Sequence, residues 1–345
     1  MKTRHFLMMA TLAVGMAMTG MMMTSCAKED NPVDNSTDGP SVLPVGTTIR
    51  KDIPYIIYSP YNDRWEENAV PTEFRVLDGL YEGIFPTSEL KMINYHGVKS
   101  SRIKVKIPYF VYYGREDYYV SRISSEAFFH FRDLLVEVEL NFAIKRIDIE
   151  AFRDCINLEK VEFGIVKSIG GGAFINCTSL KELKLSRGGS LDIERRAFEN
   201  CTGLTNVQLK ADTLMIDQSA FNNCTGLKSL ILEGSMEAIE VETFMDCTSL
   251  KGISFPYGLK TIKSQAFKNC TSLEKLELPD GLKTIESQAF KNCTSLEELY
   301  LPGGIEKIDK KAFEGCENLK KVIFHGNAPL YEHGTFPEGA HVYVE

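Results

Sequence analysis

Across the C-terminal two thirds of the chain, apolar and polar positions recur at a nearly fixed interval. The clearest unit is written twice in succession. KTIKSQAFKNCTSLEKLELPDGL at 260–282 and KTIESQAFKNCTSLEELYLPGGI at 283–305 differ at only five of 23 positions. Within the first copy, Leu273, Leu276 and Leu278 end in apolar/polar alternation, which predicts a strand with one buried face. Pro279-Asp280-Gly281 predicts a turn, because Pro fixes φ and Gly accepts a positive one. Leu282 and Ile285 re-enter the interior. In 287–293 the apolar residues Ala289, Phe290 and Cys293 predict one short turn of α or 3₁₀ helix packed on the strands. Phe152, Phe174, Phe198, Phe221, Phe244, Phe267, Phe290 and Phe313 each precede a Cys by three positions. Their successive spacings are 22, 24, 23, 23, 23, 23 and 23. A unit this small cannot bury its own apolar edges, so successive units must stack, with strands about 4.8 Å apart.

A period in the 20–29 range built on L-x-x-L-x-L is the signature of leucine-rich repeats and predicts a solenoid. The fuller pattern I-x-x-x-A-F-x-x-C-x-x-L-x-x-L-x-L-P-x-x-L-x-x-I resembles the BspA-like leucine-rich-repeat family of bacterial surface proteins. The resemblance covers Ile123 to Phe324. It departs at Phe131, which stands where the first copy should carry Cys, and at Thr243, which replaces the Ala before Phe244. The expected fold is a leucine-rich-repeat solenoid of about nine 23-residue repeats, with a parallel β-sheet, short helical or 3₁₀ turns and a β-rich N-terminal cap. The repeats span 123–324. Thr335-Phe336 falls one full period after Ala312-Phe313, so 325–345 reads as a half-repeat cap ending in a strand at 341–345.

Residues 1–25 combine Lys2 and Arg4 with an apolar run from Phe6 to Met23. That run is long enough for a membrane helix, but its N-terminal position and the small residues before Cys26 fit a secretory signal. Met23-Thr24-Ser25-Cys26 resembles a bacterial lipobox, which implies cleavage before Cys26, lipid attachment there and an outer-membrane anchor. Lys28, Glu29 and Asp30 resemble the surface-export signal of some Gram-negative gut and oral bacteria; the plain alternative is a polar linker. Cleavage would shift the formal charge from −8 to −10. Residues 26–48, rich in Asn, Asp, Ser, Gly and Pro, predict a flexible tether.

Residues 49–122 carry no repeat and predict a β-rich segment, with strands around 75–77, 91–93, 103–108, 109–114 and 118–123. Its part from 72 onward reads as the cap that covers the first open end of the core. Tyr55, Tyr58, Tyr61 and Trp65 precede it; such a cluster either packs on the cap or offers a glycan-stacking platform.

Nine cysteines in an exported chain raise the question of disulfides. Eight occur once per repeat at one position, which predicts an interior ladder with parallel Cβ vectors, the wrong geometry for S–S closure. Buried free thiols are the expectation. No C-x-x-C, H-E-x-x-H, G-x-S-x-G or P-loop sequence is present, so no enzyme activity, metal or cofactor is expected. An acidic chain also argues against binding nucleic acid.

Binding is expected on the outward positions of the strand ladder. These are Glu137/Glu139, Lys160/Glu162, Glu182/Lys184, Asn206/Gln208, Ser229/Ile231, Gly252/Ser254, Lys275/Glu277, Glu298/Tyr300 and Lys321/Ile323. Ile231, Tyr300 and Ile323 are the apolar members that would anchor a partner. The resemblance implies a surface adhesin that recognises host matrix or bacterial surface proteins. A periplasm-facing envelope scaffold and a glycan-binding surface protein are the alternatives.

Overall fold

The computed structural model describes residues 48–59, 64–77, 80–86, 103–107, 109–113 and 116–345, except 187 and 330. Cys26, Lys28, Glu29, Asp30, Tyr61 and the strand expected at 91–93 lie outside the described residues.

From Arg122 onward the chain winds as a solenoid with parallel strand pairing along two sides. On one side run Leu135–Glu139, Lys160–Glu162, Glu182–Ser186, Asn206–Ile216, Ser229–Ser235 and Gly252–Ser254. Lys275–Glu277, Glu298–Pro302, Lys321–His325 and His341–Val344 continue it. On the other side are two-residue strands such as Arg146–Ile147, Thr261–Ile262 and Thr284–Ile285. The last two of these pair from one coil to the next. In the longer ladder, Leu276 pairs with Leu299 and Leu299 with Val322, all inward and buried. The register therefore follows the leucine spacing: a one-residue slip would turn every Leu outward.

The first coil is extended at its N-terminal end by a mixed sheet. Ile103–Lys106 pairs parallel with Leu135–Glu139 and antiparallel with Thr48–Ser59. Arg64–Leu77 and Leu80–Pro86 follow antiparallel. Tyr58 and Trp65 stand opposite each other in the first of these pairs.

The third side of each coil holds the Ala-Phe-x-x-Cys segments, and here the expected helical turn is replaced. Only Phe129–Phe131, in the copy lacking Cys, forms a 3₁₀ helix. The other copies are turns in which alternate amides point along the solenoid, while those between them bond back within the turn, as Cys270 N–H does to Phe267 O at 3.2 Å. Phe152 N–H donates to Ala173 O at 2.7 Å, Phe267 to Ala289 O at 2.8 Å and Phe290 to Ala312 O at 2.8 Å. Inter-coil bonds satisfy every second donor that a helix would have used internally, so a continuous helix loses its advantage.

Redirecting the amides takes left-handed backbone at two positions in each copy from Phe152 to Phe290, two before and two after the Phe. Gln265 has φ 59° and Asn269 φ 62° around Phe267; Gln288 and Asn292 repeat this around Phe290. The second position is Asp, Asn or Gly in every copy from Phe152 to Phe313, the residue types that tolerate this region best. The recurring Asn-Cys-Thr thereby acquires a structural reason. Asn200 Nδ2 donates to Asn176 Oδ1 at 2.7 Å, Asn223 to Asn200 at 2.8 Å and Asn292 to Asn269 at 2.9 Å. Gly315 (φ 78°) closes this row, since a Cβ there would lie 2.3 Å from Asn292 Oδ1. Asn269→Ala is expected to cost about 2–3 kcal/mol in urea unfolding, from left-handed strain and lost side-chain bonds. Asn269→Gly, which keeps the backbone conformation, should cost about half as much. Equal costs would mean that the left-handed backbone contributes nothing.

Inside, the phenylalanines form one stack. Neighbouring ring centroids from Phe128 to Phe313 lie 4.5–5.5 Å apart and within 13° of parallel, as aromatic packing favours. Phe336 of the half-repeat continues it at 5.6 Å. The eight repeat cysteines are free and buried beside this stack. Cys177 Sγ donates to Phe152 O at 3.2 Å and Cys270 to Phe244 O at 3.3 Å. Burial is the largest influence on seven of these thiols, from Cys155 to Cys293, and pushes their pKa values up. Of the two departures, Phe131 fills the missing Cys position at 4% exposure, and buried Thr243 donates to Glu240 O at 2.8 Å.

Candidate binding face

The outer face of the longer strand ladder brings together the side chains expected from the sequence, because residues one period apart fall in register. Two rows result. Lys275, Glu298, Lys321 and His341 are successive partners in one; Glu277, Tyr300, Ile323 and Tyr343 are partners in the other. Asn206, Ser229 and Gly252 form the corresponding row in the middle of the face, beside Gln208, Ile231 and Ser254.

Three zones differ in chemistry. At the N-terminal end the charges neutralise one another. Glu137 lies 2.7 Å from Lys104 and 3.2 Å from Lys160, and Lys160 also pairs with Glu162. Partial burial works to raise the Glu137 pKa, but the bonds from the two lysines outweigh it and hold it below its ordinary value. Glu139 pairs with Lys106 at 2.6 Å, and Glu182 with Lys184 at 2.7 Å. In the middle zone the six positions Asn206, Gln208, Ser229, Ile231, Gly252 and Ser254 are uncharged, and Ile231 is half-buried. The C-terminal zone is aromatic, with two lysines against the Tyr300 ring and with Glu277 and Glu298 in the same rows. Lys275 Nζ sits 4.4 Å above the Tyr300 ring, Lys321 Nζ lies 6.0 Å from it, and the His325 ring stacks at 6.0 Å. The Tyr300 hydroxyl donates to Glu298 at 2.8 Å, and that bond is the main reason its pKa is raised.

One expected anchor needs correction. Ile323 lies on the outer side but is only 1% exposed. Its partners across the ladder are Tyr300 on one side and Tyr343 on the other, so it serves as the floor of the patch. Tyr343, at 48% exposure, is the exposed aromatic residue in its row. The repeat spacing misses Tyr343 because the last strand joins the ladder before a full period has elapsed after Ile323. His325 was missed because it lies one alternation beyond the two outward positions read for each strand.

A groove of about 690 Å³ opens at the far ends of the middle strands, lined in part by Lys210, Asp212, Glu233, Tyr257 and Asp280. Here Asn206–Ile216 runs on through both ladders, where the copies at 256–258, 279–281 and 302–304 turn at Pro-x-Gly. Lys210 and Glu233 pair across it at 2.8 Å, and the Tyr257 hydroxyl donates to Asp212 O at 3.1 Å.

Parallel coils, a long and a short strand ladder and a phenylalanine stack define the chain as a leucine-rich-repeat solenoid, a scaffold that presents an extended surface to protein partners. The chain belongs to the proteins with a BspA type leucine rich repeat region, whose profile matches in six copies over residues 117–228 and 214–337. Among solved structures, a leucine-rich repeat protein from Bacteroides ovatus is similar at 21% identity. The match covers 81% of this chain and 78% of that one, with a TM-score of 0.46. A leucine rich cell surface protein from Faecalibacterium prausnitzii is 20% identical over 74% of this chain and 93% of its own, with a TM-score of 0.34. The pneumococcal vaccine antigen PcpA is 18% identical over 87% and 94%, with a TM-score of 0.35. No curated protein matches the chain.

Proposed function

We propose that this protein is a lipid-anchored recognition protein of the bacterial cell surface, an adhesin that grips a protein partner on the outer face of its strand ladder. The carrying observation is the C-terminal zone of that face, where Lys275 and Lys321 flank the Tyr300 ring. Aromatic and cationic groups gathered at one place form a hot spot, in contrast to the self-neutralised N-terminal zone. Cys26 is the lipid attachment point in this reading, Lys28, Glu29 and Asp30 direct export, and residues up to 48 are the tether. The partner is a matrix or bacterial surface protein carrying exposed acidic and aromatic groups.

The test uses cells expressing the full chain, probed with antibody to the repeats and then allowed to settle on immobilised extracellular-matrix proteins. Intact wild-type cells should label and adhere, and the triple change of Lys28, Glu29 and Asp30 to Ala should abolish labelling. Tyr300→Ala should retain labelling and lose adhesion by about tenfold, the effect of one hot-spot side chain. Labelling confined to permeabilised cells would replace this reading with a periplasm-facing scaffold.

A further inference from the structure

We propose that the His341–Val344 strand is a self-association edge, pairing antiparallel with the same strand of a second copy to join two solenoids end to end. This goes beyond the adhesin reading and stands independently of it. The strand is last in its sheet, paired with Lys321–His325 and, among the described residues, with nothing on its other side. At the opposite end, Ile103–Lys106 is covered by Thr48–Ser59 and two further antiparallel strands. Val342 and Val344 lie in register with buried Val322 and Phe324, so they face inward, yet they are 36% and 61% exposed. The apolar interior is therefore open at this end. Residues 341–345 contain no Pro or Lys, two of the devices that ordinarily blunt an open edge.

The occupant follows from the register. His341 N–H donates to Lys320 O, and Glu345 N–H donates to Phe324 O. By the alternation of a parallel ladder, the N–H and C=O of Val342 and Val344 therefore point to the open edge. Antiparallel self-pairing centred on Tyr343 sets Val342 opposite Val344 of the other copy, twice, which satisfies all four of those groups in each copy. The same register sets the His341 imidazole opposite the Glu345 carboxylate on both sides of the axis, an attractive pair in either protonation state of the imidazole. Tyr343 meets its own copy at a non-hydrogen-bonded site, where cross-strand aromatic pairs are favourable. The inward faces of both copies stay on one side of the joined sheet, so each valine pair covers the other copy's open interior. The strand is complementary to itself in hydrogen bonding, side-chain pairing and interior contact, and a second copy supplies all three at once.

The test is disulfide trapping in cells expressing the full chain, with the parent as baseline. Tyr343→Cys should yield a covalent dimer under mild oxidation, because facing residues at a non-hydrogen-bonded site lie within disulfide reach. Tyr300→Cys should not. Adding Val344→Pro removes only an edge-facing N–H and should cut trapping roughly tenfold or more. Should that variant fail to fold, the charges decide. Glu345→Lys should weaken trapping, and His341→Glu with Glu345→Lys should restore it. The proposal is overturned if Tyr343→Cys gives no dimer, if it crosslinks instead to a different protein, or if the dimer is indifferent to both sets of changes.

Discussion

Above about pH 9 the protein is expected to lose stability steeply and to unfold cooperatively, with fluorescence and circular dichroism changing together. Seven interior thiols have pKa values pushed up by burial. In the unfolded chain they ionise near pH 8.5. A folded-state pKa above the unfolded one gives stability that is complete below the unfolded pKa and lost as pH rises. Each thiol then costs about 1.4 kcal/mol per pH unit once the unfolded chain ionises and the folded one does not. Seven acting together approach roughly 10 kcal/mol per unit, on the scale of a whole domain's stability of about 5–15 kcal/mol. Urea midpoints measured from pH 7 to pH 10.5 check this. They should be flat to about pH 8 and then fall, and Cys270→Ala should reduce the fall by one proton's worth. A midpoint unchanged up to pH 10 would show that the ladder is not a row of buried neutral thiols.

Phe267→Ala is expected to destabilise the solenoid by about 3–5 kcal/mol in equilibrium unfolding, the range for deleting a buried aromatic ring. Phe267 is fully buried, stacked between Phe244 at 5.3 Å and Phe290 at 5.2 Å, with Phe255 edge-on at 6.1 Å. The cavity has little means of collapsing, because the coils above and below are held apart by backbone bonds from Phe244 N–H to Ala266 O and from Phe267 N–H to Ala289 O. Coupling between neighbouring repeats should lower the midpoint of the whole array and not only of one coil. A cost below about 1 kcal/mol belongs to surface sites and would contradict the stack.

The leucine and phenylalanine spacings made the solenoid legible because burial in a repeat is decided by neighbours that share the same sequence. Leu276, Leu299 and Val322 point inward for one reason, repeated each coil. The outward positions were legible for the same reason, since alternation leaves them no other side. Local propensity alone misread the third side: Ala-Phe-Lys-Asn-Cys favours a helical turn until the next coil offers acceptors for its amides. The Asn of each Asn-Cys-Thr likewise has meaning only when another Asn stands one coil away to accept its bond.

The sequence by itself therefore determined the period and the inward and outward sides of each strand. Each follows from side-chain chemistry repeated at a fixed interval. Tertiary structure alone decided the end effects: the burial of Ile323, the gathering of Tyr300, His325 and Tyr343 into one patch, and the open edge at His341–Val344. There the repeat stops, and what surrounds a residue is no longer another copy of itself.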